Sequence, residues 1–250
     1  MFGLRSFASS FVLISSLLAS ASAHLPYLDP TNAHNSFATA FEFPDNEYSR
    51  ALCTTTSCPP PHFQGNRTVQ SHRSRWSKQS WSKVYVGAGE KLHFEFGVPH
   101  LPALEYPSFR PTVYLVGQCL PSCEVFGYPE PQPLESAPFD MPYHLKALRF
   151  YLPDPVWEPT KFYESHLDAT FLNYLDYTVD MECEGDVYIV VEWHEKRVVE
   201  YYVAVGETDE FPANGNGAGI ASLAAAKKWA QGHNPNVGKF CRKRGIWERE

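Results

Sequence analysis

Apolar and polar residues alternate in several short stretches of the chain, and the clearest of these begins at Lys91. Apolar side chains occupy every second position from Leu92 to Val98, and the residues between them are mostly polar. A period of two places successive side chains on opposite faces of an extended strand. The pattern therefore predicts a strand with one face in the core and the other toward solvent.

Denser apolar runs predict strands that are buried more completely. Such runs cover residues 111–117, 186–193 and 197–206. The last two flank a short polar stretch, which predicts a β-hairpin with a tight turn. Further strands are predicted at residues 38–43, 83–86, 148–152 and 173–181.

Seven or eight short strands separated by Pro, Gly, Asn and Asp predict an all-β fold. The expected architecture is a single antiparallel β-sandwich with jelly-roll or Greek-key connections and long loops. Polar residues 59–83 and proline-rich residues 121–142 are the predicted loops. Near the C-terminus, residues 218–230 predict one short helix that Gly232 ends.

The first 23 residues have the three parts of a secretory signal. Arg5 precedes a short apolar run, and Ala21 and Ala23 stand at the small-residue positions of a cleavage site. We therefore expect a secreted, extracellular protein without a transmembrane segment. The predicted organisation is a signal peptide at 1–23, a sandwich domain at 24–211, and a flexible C-terminal segment at 212–250 that carries the helix.

The acidic net charge of the chain limits the classes of partner that we expect. Its net charge is −7, and without the first 23 residues 20 basic residues oppose 28 acidic ones, which gives −8. Nucleic acid and anionic membranes are therefore disfavoured as partners. Asn66 lies in the one N-x-S/T sequon of the chain and predicts an N-glycan in a secreted protein.

The six cysteines predict disulfides rather than a metal site. An even number in a secreted chain favours bridges, and the C-x-x-C spacing of zinc sites is absent. Two local bridges are expected from the close spacings, and the third would tie the C-terminal segment to the sandwich. The predicted pairs are Cys53–Cys58, Cys119–Cys123 and Cys183–Cys241.

Several motifs occur in an order that resembles a family of uncharacterised secreted proteins. These motifs are "FATAFEFPDNEYSRAL", "GEKLHFEFGVPHLPALE", "FRPTVYLVGQCLP", "PFDMPYHLKALRFY", "EPTKFYE" and "YYVAVGETDEF". The family resembles β-sandwich domains of the pre-peptidase C-terminal or DOMON-like kind. The resemblance covers most of residues 24–211 and implies a secreted sandwich, and it carries no activity, cofactor or site residue.

His24 is the one candidate metal ligand with a defined chemistry. Cleavage after Ala23 would make it the N-terminal residue, whose α-amine and imidazole together suit Cu(II). A second histidine is then required, and the candidates are His34, His93, His100, His144, His166 and His194. For His34, only a chain reversal near Asp29 would bring the two together. The alternative, which the sequence favours, is that His24 merely follows the cleavage point.

Other candidate residues are two loop tryptophans and one acid. Trp76 and Trp81 flank a Ser/Lys-rich stretch of the predicted loop at 59–83, where exposed indoles would stack on sugars or anchor a protein partner. Packing in the core is the equal alternative. Glu192 lies in an apolar run beside Trp193, where partial desolvation is expected.

The sequence contains no nucleophile elbow, phosphate loop or zinc-protease motif. The sequence leaves open whether the protein is an enzyme, and the absence of these motifs favours a protein that is not one. The preferred hypothesis is a non-catalytic secreted sandwich that binds carbohydrate or protein at the cell surface or in the matrix, without a cofactor. The alternative is a copper-dependent oxidase or oxygenase that uses His24.

Overall fold

The computed structural model describes only part of the chain. The described residues are 25–29, 34–56, 78–102, 109, 111–121, 132–134, 137–152, 159–193, 198–207 and 223–233. Residues 1–24, Cys58, Asn66, Trp76, Cys123, His194 and Cys241 lie outside them, and predictions that rest on such residues alone stay predictions.

The described residues form two six-stranded sheets. Sheet A has the order β1 (Leu25–Asp29), β3 (Arg50–Thr55), β12 (Glu200–Val205), β5 (Lys91–Pro99), β10 (Ala169–Asp180), β9 (Thr160–Glu164). Sheet B has the order β2 (Phe41–Glu42), β4 (Lys78–Val86), β11 (Gly185–Trp193), β6 (Thr112–Gly117), β8 (Lys146–Tyr151), β7 (Gln132–Leu134).

The inner faces of the two sheets pack into one core, so the predicted all-β sandwich is confirmed. The ring of Phe94 on β5 lies 5.3 Å from that of Phe150 on β8, which in turn lies 5.0 Å from Tyr177 on β10. Leu92, Phe94 and Phe96 are completely buried, as the alternation along β5 predicts, but the other face, which was predicted to face solvent, is also buried at Glu95 and Gly97. The sheets are mixed rather than purely antiparallel, because β1 pairs with β3 and β2 pairs with β4 in parallel.

The predicted hairpin between the last two long strands is wrong. β11 pairs with β4 and β6 in sheet B, whereas β12 pairs with β3 and β5 in sheet A. Both strands are buried on both faces along most of their length. The chain therefore crosses from one sheet to the other between them, and each strand lies inside its own sheet.

The helix α1 (Leu223–Ala230) packs on the outer face of sheet A and contacts β1 and β10. Ala226, Trp229 and Ala230 are its buried residues, and the Trp229 indole donates a hydrogen bond to the Thr54 carbonyl at 3.2 Å. The predicted stop is confirmed, because Gly232 has a φ of 69° and its N–H bonds to the Trp229 carbonyl. Within the described residues no helix is long and apolar enough to cross a membrane.

Candidate functional site

Trp81 is not an exposed loop residue, so its predicted role in binding is wrong. It lies in β4 on the outer face of sheet B and is only 1% exposed. Its ring packs against Phe37, Phe139 and Tyr188, and its indole N–H bonds to the Gln79 side chain at 3.1 Å. Trp81 is therefore a packing residue under the segments that cover sheet B.

One group of three ligand-type side chains occurs in the described part of the chain, and it contains a single histidine. Nε2 of His34 lies 4.0 Å from Oδ2 of Asp29, at the end of β1 opposite to Leu25. His93 is the one histidine in the described residues that belongs to a group of three ligand-type side chains. The copper hypothesis for His24 stays a prediction, because His24 itself lies outside the described residues.

The disulfide pattern differs from the predicted one. Cys119 pairs with Cys183, which excludes the predicted bridges Cys119–Cys123 and Cys183–Cys241. Cys53 is a buried free thiol, so the predicted Cys53–Cys58 bridge is also wrong. Local spacing favoured short loops, whereas the observed bridge links the end of β6 to the start of β11, which are neighbours in sheet B.

Glu192 is desolvated as expected, but it is fully engaged. It is 4% exposed and accepts a hydrogen bond from the Tyr114 hydroxyl at 2.9 Å. The Gln79 amide donates a second bond at 3.4 Å. Burial, and then the Glu192 carboxylate, raise the pKa of Tyr114 far above its usual range. The pair is a structural contact beneath the outer face of sheet B.

The outer face of sheet A carries an unusual row of side chains across its centre. The strand register aligns Cys53, Tyr202, Gly97 and Asn173 on four neighbouring strands. A Cβ atom on Gly97 would lie 2.6 Å from the Tyr202 hydroxyl oxygen, so only glycine lets this ring lie across the sheet. A β-bulge after Asn173 then turns Asp176 to the same face.

A pocket opens at one end of this row, between sheet A and α1. Its empty volume is about 330 Å³, which includes solvent at its mouth. The lining residues are Pro26, Ala51, Cys53, Phe162, Glu164, Leu167, Phe171, Tyr202 and Trp229. The walls are mainly aromatic, and the rings of Phe162 and Trp229 both stack on Phe171, with centroids 5.6 and 6.2 Å away.

Glu164 is the one acid among the residues that line the pocket. It ends β9, is 5% exposed, and accepts the backbone N–H of His166 through Oε1 at 2.9 Å. Its other oxygen, Oε2, is buried and has no hydrogen-bond partner among the described residues. A buried polar atom without a partner is costly by about 1–3 kcal/mol, so it marks a place where a ligand or water is expected.

The turn after β9 attaches the helix to the sheet at the rim of the pocket. Asp168 has a φ of 49° and accepts hydrogen bonds from Lys227 Nζ at 2.8 Å and from the Tyr163 hydroxyl at 2.7 Å. The bond from Lys227, together with that from Tyr163, lowers the pKa of Asp168. This contact fixes α1 over the pocket and leaves the Lys227 charge compensated.

A polar cluster lies beyond Tyr202 on the same face. One ligand-type atom each from His93, Glu95 and Asp176 lies within 4.8 Å of the others. His93 donates through Nε2 to Asp176 at 2.9 Å and through Nδ1 to the Gly206 carbonyl at 3.1 Å. Burial opposes the charged form, but these two bonds outweigh it and raise the pKa of His93 to about 9. The geometry fits an ion pair of imidazolium and carboxylate, and a metal ion would have to displace that proton.

Two further buried groups lie beside the pocket, and neither is poised for nucleophilic chemistry. Burial, with a smaller effect of Glu200, raises the pKa of the Cys53 thiol well above its usual range, so the thiol stays protonated. Burial likewise raises the pKa of Glu200, which is 1% exposed, to about 8. Within the described structure its Oε2 also lacks a hydrogen-bond partner.

The raised pKa of Glu200 predicts a pH-dependent stability. Between an ordinary carboxyl pKa of 4.5 and about 8 the folded chain holds a proton that the unfolded chain has lost. The free energy of unfolding should therefore fall as the pH rises through this window. In Glu200→Gln the contribution of this carboxyl should disappear, whereas that of His93, whose pKa is also raised, stays and lowers the stability of both proteins above pH 6.5. At pH 8 the variant should be more stable than the parent by about 2 kcal/mol or more.

Urea unfolding at pH 4.5, 6 and 8 measures this difference. The parent and Glu200→Gln should agree at pH 4.5 and diverge above it. Asp186→Asn is the matched control, because this half-exposed carboxylate should leave the slope unchanged. A parent protein whose stability rises steadily from pH 5 to 8, with the same slope in the variant, contradicts the assignment.

The residues of this pocket were not predicted from the sequence. In β9 the positions Phe162 and Glu164 alternate with polar ones, which is a strand signal, but a glutamate on such a face is expected in solvent. It is buried where residues of β1, β9, β10 and α1 meet around the pocket. One feature of the sequence could have indicated the pocket. Phe162, Phe171 and Tyr202 are aromatic residues on a sheet face that is expected to be polar.

Comparison of the chain with protein-family models, with curated proteins and with solved structures finds no match. The resemblance to pre-peptidase C-terminal or DOMON-like domains therefore stays a prediction from the sequence motifs.

Proposed function

We propose that the protein is a secreted, non-catalytic β-sandwich module that binds a small ligand in the pocket between α1 and sheet A. The observation that carries the proposal is the buried Oε2 atom of Glu164, which lacks a partner among the described residues and belongs to a pocket with aromatic walls. Binding pockets commonly combine an apolar lining with a few polar groups that orient the ligand.

The neighbouring chemistry supports binding rather than catalysis. The Cys53 thiol is held in its protonated form by burial, and His93 is engaged with Asp176 and Gly206. Among the described residues the lining contains no histidine, serine or lysine, and its one thiol is held protonated by burial.

Secretion and an extracellular site of action remain part of the proposal. The Cys119–Cys183 disulfide is compatible with an oxidising compartment. The predicted signal peptide and the predicted glycan on Asn66 point the same way. The broader hypothesis of carbohydrate or protein binding is kept as the wider class, but it loses the support of Trp81, and Trp76 is its remaining candidate residue.

A pocket-filling variant tests the proposal. Ala51 is 4% exposed and lines the pocket, so Ala51→Leu should occupy part of its volume. Ligand-observed NMR measures the binding of two probes, n-butanol and n-butylammonium. We expect at least one of them to bind the parent, and its affinity to fall roughly tenfold in Ala51→Leu.

Ala224→Leu is the matched control. Ala224 lies on α1, which covers the pocket, but it is exposed and does not line the pocket. This variant should bind like the parent. Equal binding of every probe by the parent and Ala51→Leu, or no binding of either probe, would show that the pocket is not the ligand site.

A further inference from the structure

We propose that the ligand of this pocket carries a primary ammonium group on an alkyl chain, and that the group is bound by Oε2 of Glu164. The inference rests on the proposed function, since it names the class of ligand for the same pocket. It is drawn from the charge of the lining, the size of the pocket, and the ring faces around it.

The charge of the lining favours a cation. None of the nine lining residues is basic, and Glu164 is the acid among them. On the covering helix α1, Lys227 already bonds to Asp168 at 2.8 Å. An ammonium group at Oε2 would compensate a buried negative charge and supply the missing hydrogen-bond donor at once.

The size of the pocket distinguishes among cations. The pocket as a whole has room for about one water-sized group and opens to solvent at its mouth. A primary ammonium group is about as large as a water molecule, and a trimethylammonium group is several times larger. The small head group therefore fits the pocket that Glu164 lines, and its alkyl chain would extend toward the mouth.

The aromatic walls favour the same ligand. Phe162, Phe171, Tyr202 and Trp229 all line the pocket, and Phe171 is in ring contact with each of the other three. Aromatic faces attract a cation within about 6 Å of the ring centre and also pack well against methylene groups. An alkylammonium ion presents both features along one short chain.

Isothermal titration calorimetry with four probes tests the inference at pH 7 and about 0.15 M salt, where weak surface attraction is screened. The probes are n-butylammonium, the neutral n-butanol, n-butyltrimethylammonium and Nα-acetyl-lysine amide. We expect n-butylammonium to bind at least about tenfold more tightly than n-butanol and than the trimethyl ion. The lysine amide distinguishes a free amine from a protein side chain as the natural source, since it binds only if the mouth accepts the peptide groups.

Glu164→Gln should reduce the affinity for n-butylammonium by at least about tenfold and leave n-butanol within about twofold. The glutamine keeps an oxygen that accepts the His166 N–H, so the turn after β9 should persist. Glu200→Gln is the matched control, because it removes another buried carboxyl of sheet A that does not line the pocket. That variant should bind n-butylammonium like the parent.

The outcomes separate the two proposals. If n-butanol binds as tightly as n-butylammonium, or Glu164→Gln binds both as the parent does, the pocket is a ligand site but the ammonium assignment is wrong. If no probe of either charge binds the parent, the proposed function itself fails. The comparison of charged and neutral probes on the parent protein needs no variant, so a Glu164→Gln protein that does not fold leaves the test decisive.

Discussion

Trp81→Ala should lower the free energy of unfolding by about 3–5 kcal/mol, as is typical of a fully buried tryptophan. The side chain is 1% exposed and lies against Phe139 and Tyr188, with ring centroids at 5.0 and 6.2 Å. Truncation leaves a cavity between β4 and the segment that covers sheet B. It also leaves the Gln79 side chain without the indole donor at 3.1 Å.

Urea unfolding of purified variants measures this effect. Trp81→Phe keeps most of the ring contacts and should lose only about 1–2 kcal/mol. Tyr151→Ala is the surface control, since Tyr151 is 59% exposed and its loss should stay within about 0.5 kcal/mol. A Trp81→Ala protein with unchanged stability and weakened polysaccharide binding would restore the exposed binding role that the sequence had suggested.

Replacing both Cys119 and Cys183 by alanine should destabilise the protein by about 4 kcal/mol, because the bridge closes a long loop. The two residues are 64 positions apart. In the chain-entropy model a loop of that length restricts the unfolded ensemble by about this amount at 25 °C. The bridge also holds the end of β6 near the start of β11, two strands that pair in register in sheet B.

Cys53→Ala is the natural comparison, since it removes a buried thiol without removing a crosslink. It should cost about 1–2 kcal/mol through lost packing. A reducing agent should lower the stability of the parent and of Cys53→Ala by about 4 kcal/mol more than that of the double variant. Equal sensitivity of all three proteins to the reducing agent would contradict the Cys119–Cys183 assignment.

The core faces of the strands could be predicted because they depend on local periodicity. Leu92, Phe94 and Phe96 alternate with polar residues, and all three are completely buried in β5. Strand partners could not be predicted in the same way, because periodicity identifies faces but not neighbours. This is why β11 and β12 were predicted as a hairpin although they belong to opposite sheets.

Errors at Trp81 and the cysteines have related causes. β4 begins at Lys78, but its inward positions include Ser80 and Ser82, which made the start of the strand look like polar loop. The cysteine prediction relied on short spacing, whereas Cys119 meets Cys183 through pairing between distant strands. In both cases contacts between residues far apart in the chain decided the outcome.

The pocket depends even more strongly on such contacts. Glu164 ends a strand in the sequence, and it is buried in a pocket that Trp229 of α1, about 60 residues later in the chain, also lines. The bulge after Asn173 and the space above Gly97 also arise only from strand pairing. A sequence pattern can indicate an aromatic outer face, but not which polar atom is enclosed within it.

The central claim is that ligand binds between α1 and the outer face of sheet A. Titration of n-butylammonium into ¹⁵N-labelled protein, followed by two-dimensional NMR, tests it most directly. We expect shifts concentrated at the amides of Cys53, Tyr202 and Glu164 and at the indole N–H of Trp229. Shifts confined to sheet B around Trp81, or no shifts with either n-butylammonium or n-butanol at millimolar concentration, would contradict this site.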